Sequence, residues 1–280
     1  MGVGLIGWVL ESTETSDDPR IGAVLDELPQ AIWFAFGVDL GKYVKQVHEH
    51  DVKRGRKTLV FVIVNSVEEA VKAAYEWKVD VIVAQGDDPV YFSDYFVRND
   101  ENASGIEAGG HGGGSAPPVF LLLQTILSAI PDGPPVIAAG GIATGSQIAA
   151  LLTMGASGVA IGTRFLFTHE SQYSQAKKDV LLSAKITDTT RSLAFDEVNR
   201  TMGWPEGCDG RAIANNIMRD FEEGLSLEER LERFDQSAAQ GDNSRLVVWA
   251  GMGSGLTDKI SSAAVSHLAI EGLISLIHHS

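Results

Sequence analysis

Six short apolar runs, residues 2–8, 31–36, 58–64, 79–84, 135–139 and 158–161, punctuate the first part of the chain. They are continuously apolar rather than alternating. Strands covered on both faces look like this, and such strands belong to parallel sheets. Helical segments lie between them. Ser66 followed by Glu69 makes a capping box that opens a helix over 67–77. Pro117 and Pro118 suit the first turn of a helix running to about Ile130. Ser146 is placed to cap 147–154, and Gly155 follows where a helix stop is expected. Six βα repeats predict a parallel α/β fold, either a barrel or a doubly wound sheet. After Thr168 the strand signal stops. Residues 170–185 and 221–239 read as helices, with a turn-rich loop over 204–211. The expected organisation is an α/β unit over 1–168 and a helical region over 169–280 that packs on it.

Glycine is in excess, 30 of 280 residues, or about 11% against a usual ~7%. There is no collagen period, so the excess points to tight turns or to close approach of backbone. Its clusters fall on or after the predicted strands: Gly86 and then Gly109-Gly110-His111-Gly112-Gly113-Gly114, Gly140-Gly141, and Gly158 through Gly162-Thr163. Parallel α/β folds bind ligands at the C-terminal ends of their strands. Glycines there let backbone N–H groups approach an anion. Gly140-Gly141 and Gly162-Thr163 follow the last two strands, where barrels hold phosphate. Tight turns alone would explain either pair; two pairs on neighbouring strands favour the phosphate. The spacing is not Gly-x-Gly-x-x-Gly, which argues against a dinucleotide-binding Rossmann fold.

The chain has 22 basic and 37 acidic residues, a net charge of −15. That balance argues against a nucleic-acid backbone or an anionic membrane surface as the partner. The apolar start is too short to span a bilayer and lacks the features of a signal peptide, so a cytoplasmic location is expected. Cys208 is the single cysteine, which excludes an intrachain disulfide and a cysteine metal site. Nothing in its Gly/Pro/Asp turn activates it as a nucleophile. No His-x-x-x-His or carboxylate cluster suggests a metal. His111 stands apart, in a glycine-only neighbourhood that reads as a loop past a strand end. Imidazoles titrate near ~6.5, which makes a His facing a ligand a natural general base. His48 and His50 lie on a charged helix and His278 and His279 near the terminus. Gln85 ends a strand, where an amide can hydrogen-bond a heteroaromatic ring edge or simply fill a turn. Arg164 could pair with phosphate or with the acidic surface.

Taken together, Val81-Ile82-Val83-Ala84-Gln85-Gly86, Ile106-Glu107-Ala108-Gly109-Gly110-His111-Gly112, the stretch 135–141, Gly155 through Phe165, and Glu170-Ser171 resemble the nitronate monooxygenases, in their fungal form. The resemblance implies a TIM (β/α)8 barrel that binds FMN. It implies oxidation of alkyl nitronates or nitroalkanes by O2 to a carbonyl compound and nitrite. Carried over by position, His111 is the catalytic base. Gln85 and Gly109 contact the flavin, Gly140 and Gly141 form one phosphate loop, and Ala160, Ile161, Gly162 and Thr163 form the second. The implied partners are small molecules, with no nucleic acid and no membrane.

Two departures from the family pattern stand out. The run at 2–6 resembles the family's third strand, so about six βα units are visible and an N-terminally truncated, incomplete barrel is expected. Residues 87–105 intervene where the family runs from Ala-Gln-Gly directly into Ile-Glu-Ala-Gly-Gly-His; a translated intron and a lid over the site are the two origins to separate. An FMN-dependent enoyl-acyl-carrier-protein reductase-like enzyme and an inactive truncated fragment stay open as alternatives.

Overall fold

A computed structural model describes residues 2–16, 19–85, 107–113 and 117–264. The 87–105 segment, Gly86, Gly114, His278 and His279 lie outside the described residues. Each of the six apolar runs forms a strand: β1 (Gly2–Ile6), β2 (Ala31–Ala35), β3 (Leu59–Val64) and β4 (Val81–Gln85), then, after a separate strand β5 (Gly110–Gly113), β6 (Val136–Ala139) and β7 (Gly158–Ala160). They pair in parallel in the order β1-β2-β3-β4-β6-β7. That order follows the chain without reversing. A doubly wound sheet reverses at a switch point, whereas a barrel winds in one direction, so this sheet is part of a barrel wall. Among the described residues, β1 and β7 each pair on one side only.

The helices between them are α1 (Gly7–Thr13), α2 (Ile21–Asp26), α3 (Leu40–Arg54), α4 (Val67–Val71, which continues as π-helix over Lys72–Trp77), α5 (Val119–Ala129) and α6 (Gly145–Thr153). Ser66 caps α4 by accepting the Glu69 N–H at 3.0 Å, while the Glu69 carboxylate takes the N–H of Asn65 rather than that of Ser66. Thr144, not Ser146, caps α6. A capping box needs Glu or Gln three residues on; Thr144 has Gln147, which returns a bond to its N–H at 3.0 Å, whereas Ser146 has Ala149.

Ile32, Phe34, Val60, Val62 and Ile82 point to the helices and are wholly buried with Val44, Leu123 and Ile126. The alternate residues Trp33, Phe61 and Ile63 are half-buried on the other face. Both faces are apolar, which is why the runs look continuous.

Beyond β7 follow α7 (Thr163–Leu166), α8 (Gln175–Ser183), β8 (Thr189–Arg191), α9 (Ala194–Asn199), β9 (Cys208–Ile213), α10 (Asn216–Glu222) and α11 (Leu227–Ala239). The expectation that strands end at Thr168 is therefore corrected. β5, β9 and β8 form a three-stranded antiparallel sheet. β9 escapes hydrophobic patterning because Asp209, Gly210 and Arg211 interrupt it. His111 accordingly lies in a strand, paired opposite Gly210, and not in a loop. The helix expected over 221–239 is two helices. Gly224 adopts a left-handed φ of 77° between them, and Ser226 opens the second in a capping box with Glu229. Among the described residues, no helix is long and apolar enough to cross a membrane.

Candidate active site

The ends of β4, β6 and β7 open into a cavity of about 290 Å³, near the small end of the ~300–1,000 Å³ usual for ligand sites. Trp33, stacked on Phe61 across β2 and β3 with ring centroids 5.4 Å apart, forms an aromatic wall. The structure brings Gln85, Gly109, His111, Gly140, Gly141, Ala160, Ile161, Gly162 and Thr163 together as lining of this one cavity. Arg164 is not among the lining residues. Burial lowers its guanidinium pKa, and the charge of Asp258 opposes the shift.

The lining glycines fall into two physical kinds. Gly140 and Gly141 have φ of 109° and 67°, a region that side chains disfavour. Both line the cavity, and both lie close to the segment before His111: a Cβ on Gly140 would come within 3.1 Å of Ala108 Cβ, and one on Gly141 within 2.5 Å of Glu107 Cβ. Gly162 faces open space, since a Cβ there would meet nothing within 4 Å. Gly109 is different. A Cβ on it would overlap the backbone of Ala250 and Gly251 and come within 2.8 Å of Thr163 Oγ1. Thr163 Oγ1 itself accepts the Gly251 N–H at 2.9 Å, and Met252 N–H donates to the Glu107 carbonyl at 3.1 Å. The protein's own backbone thus demands glycine at 109. Beside it, burial pushes the Glu107 carboxyl pKa up, against a hydrogen bond from the Val119 N–H.

The Gln85 amide donates to the His111 carbonyl at 2.8 Å, which ties the end of β4 to β5. The imidazole Nε2 of His111 lies 2.9 Å from both carboxylate oxygens of Asp196, which is wholly buried. The Trp204 indole lies flat on the imidazole, with centroids 3.5 Å apart and planes within 8°. Trp249 packs against it at 4.7 Å. The Tyr173 hydroxyl donates to the Trp249 carbonyl at 3.0 Å, and burial pushes that phenol pKa up. Arg191 joins all three antiparallel strands: its guanidinium donates to the Gly112 carbonyl at 2.7 Å and to the Asp209 carbonyl at 2.6 Å. Sequence reasoning missed Asp196, Trp204 and Trp249. Trp204 falls in a segment read as a loop, and Asp196, next to Glu197, looks like one of many surface acids.

A one-way parallel wall with glycine turns at its strand ends, and a carboxylate-held imidazole over them, defines an enzyme of the α/β-barrel class. Residues 93–270 match the family model described as Nitronate monooxygenase. The chain belongs to the nitronate monooxygenase family. It is similar to nitronate monooxygenase npaC of Metarhizium robertsii, 34% identical over 218 residues that cover 74% of this chain and 56% of that relative. The aligned part therefore spans little more than half of the relative's length. Its fold is similar to that of nitroalkane oxidase from Streptomyces ansochromogenes (TM-score 0.71, 21% identity, 99% of this chain and 81% of that one). It is likewise similar to FabK from Thermotoga maritima (TM-score 0.70, 24% identity, 99% and 76%). These structural likenesses bear on the fold alone.

Proposed function

We propose that this protein oxidises alkyl nitronates and nitroalkanes with O2, using FMN held in the cavity and His111 as the base. The observation that carries the reading is the convergence of nine motif residues, drawn from four separate segments, on one cavity whose rim is His111. The residues present fit a flavin. Trp33, Ile63 and Val83 offer apolar walls for a flat ring. Gln85 offers an amide whose carbonyl oxygen makes no hydrogen bond among the described residues. The bare backbone of Gly140-Gly141 and Gly162-Thr163 suits a phosphate. Bound FMN would supply the redox chemistry that, with O2, converts a nitronate to a carbonyl compound and nitrite.

The chain's own contribution is proton transfer and positioning. His111 takes the α-proton of a nitroalkane on its ring, and buried Asp196 stabilises the charge the ring acquires. The apolar walls limit water around the carbanion side of the nitronate. In this reading residues 1–168 hold the cofactor, and the region that follows aims the base.

The test is His111→Ala assayed on two substrate forms. Loss of a general base costs ~10²–10⁴-fold in rate, so turnover of the neutral nitroalkane falls by that factor. A preformed nitronate has already lost the proton and is turned over much faster by the same variant. An unchanged nitroalkane rate removes His111 from the role. Failure of added FMN to give a yellow complex favours an inactive fragment, and NAD(P)H-dependent reduction of enoyl thioesters without nitronate turnover favours the reductase alternative.

A further inference from the structure

We propose that Asp196 fixes which nitrogen of His111 carries the proton, leaving Nδ1 as the basic atom, and that Trp204 fixes which way the group at position 196 faces. The inference deepens the reading of His111 as base and rests on it for its meaning. Its central claim concerns the ring alone and can fail separately.

Nε2 of His111 is 2.9 Å from both oxygens of Asp196. A carboxylate only accepts, so Nε2 carries the hydrogen. A neutral imidazole has one N–H, which puts its lone pair on Nδ1. Among the described residues, Nδ1 makes no hydrogen bond, and the ring borders the cavity.

The carboxylate is itself held. Trp204 Nε1–H donates to its Oδ1 at 3.1 Å, and the Thr201 hydroxyl donates to the same oxygen at 2.7 Å. The turn that delivers Thr201 is fixed by Arg200, left-handed at φ 59°, and by the Thr201 N–H bond to the Asp196 carbonyl at 3.0 Å. Indole N–H is a donor with no acceptor capacity. Trp204 therefore dictates that the atom it faces be an oxygen, while its ring lies flat on the imidazole. Asp196 and Trp204 are positioning residues.

This predicts an unusual consequence for Asp196→Asn. Its amide oxygen must face Trp204, so its NH2 takes the place of Oδ2, 2.9 Å from Nε2, where its hydrogen would collide with an Nε2–H and can instead be donated to a bare Nε2. The imidazole hydrogen is then driven to Nδ1, and the base loses its lone pair on the working side. In Ser-His-Asp enzymes the same exchange leaves geometry intact and lowers kcat by ~10⁴ through the wrong tautomer. Trp204→Phe keeps a stacking ring and removes the N–H that forbids the amide from flipping. In the double variant the amide oxygen can turn to Nε2, with its NH2 donating to the Thr201 hydroxyl.

The experiment is ¹⁵N NMR of the histidine-labelled full chain, which reads the tautomer of His111 directly, alongside nitroalkane turnover. Wild type and Trp204→Phe are expected to show Nε2–H. Asp196→Asn is expected to show Nδ1–H and at least ~10²-fold slower turnover at little changed KM. Asp196→Asn/Trp204→Phe is expected to return to Nε2–H and regain at least tenfold over Asp196→Asn. Nδ1–H in wild type, or Nε2–H in Asp196→Asn, overturns the proposal. Should Asp196→Asn not fold, the wild-type spectrum decides alone. The expected tautomers with unaffected turnover uphold this assignment and overturn instead the reading of His111 as base.

Discussion

In the parallel sheet the wholly buried side chains are apolar, among them Ile32, Phe34, Val60, Val62 and Ile82. In the antiparallel sheet of β5, β9 and β8 the largest is Arg211, and the strands are joined by the guanidinium of Arg191. The first region is held by non-directional apolar burial, roughly 25 cal/mol per Å². The second also has buried apolar clusters, around Phe195 and Phe167, but adds to them directional hydrogen bonds and ion pairs in the sheet and the helices around it, among them Arg230 to Glu197 at 2.6 Å and Asp220 to Arg245 at 2.7 Å. The division matches what each supplies. The parallel wall contributes backbone and shape to the cavity, which apolar packing can hold. The antiparallel region aims one imidazole, which needs donors and acceptors at fixed angles. β5 belongs to the chain between β4 and β6 but pairs with β9, so His111 stands where the two regions meet.

The comparison predicts different failures on the two sides. The largest effect is expected from Phe34→Ala. Phe34 is wholly buried, and deleting such a ring costs ~3–5 kcal/mol against a total of ~5–15 kcal/mol. The denaturant midpoint should fall steeply, with activity lost only in proportion to the unfolded fraction. Activity lost at an unchanged midpoint would break the assignment of the wall to shape alone. A smaller stability effect and a larger activity effect are expected from Gly210→Ala. A Cβ there would overlap the Trp249 ring and come within 3.1 Å of His111 Nε2. Overpacking of this kind costs ~1–3 kcal/mol, while a shift of the imidazole by about 1 Å can cost ~10²-fold in rate. Calorimetry and nitroalkane turnover on the same preparation separate the two. A variant that loses stability without losing rate would show that β9 does not aim the His111 imidazole for turnover.

The same division explains what the sequence revealed and what it hid. Apolar packing leaves a local trace: residues 31–36 or 58–64 can be read as strands without knowing their partners. Glycine turns at strand ends also leave one, and so the cavity floor at Gly140-Gly141 and Gly162-Thr163 was legible. Directional contacts leave none. Asp196 is 85 residues from His111, and nothing in Phe195-Asp196-Glu197 marks it as that ring's partner. β9 was hidden because its neighbours, not its own pattern, make it a strand. Gly109 lines the cavity, but what requires glycine there, the backbone of Gly251 against it, lies in the far part of the chain.

The smallest expected effect concerns acid, and it separates the two regions by mechanism. The Asp220 carboxylate on α10 is bound by Arg245 at 2.7 and 3.1 Å and by Arg233 at 2.7 Å. The Arg245 hydrogen bond holds its pKa below the ordinary carboxylate range; burial opposes this, and Arg233 adds to it. The unfolded chain titrates this group near ~3.9. A depressed folded-state pKa means that the unfolded state binds the proton more readily. The stabilisation from Asp220 is therefore fully present above the unfolded value and is lost as the pH falls through the folded one. Asp220→Asn removes that dependence. Its melting temperature should lie below wild type at neutral pH, and the gap should narrow through the acid range. Phe34→Ala deletes no charge, so its gap should hold over the same range. A gap for Asp220→Asn that stays constant on acidification would show that this ion-pair cluster is held by packing, as the parallel wall is, and not by charge.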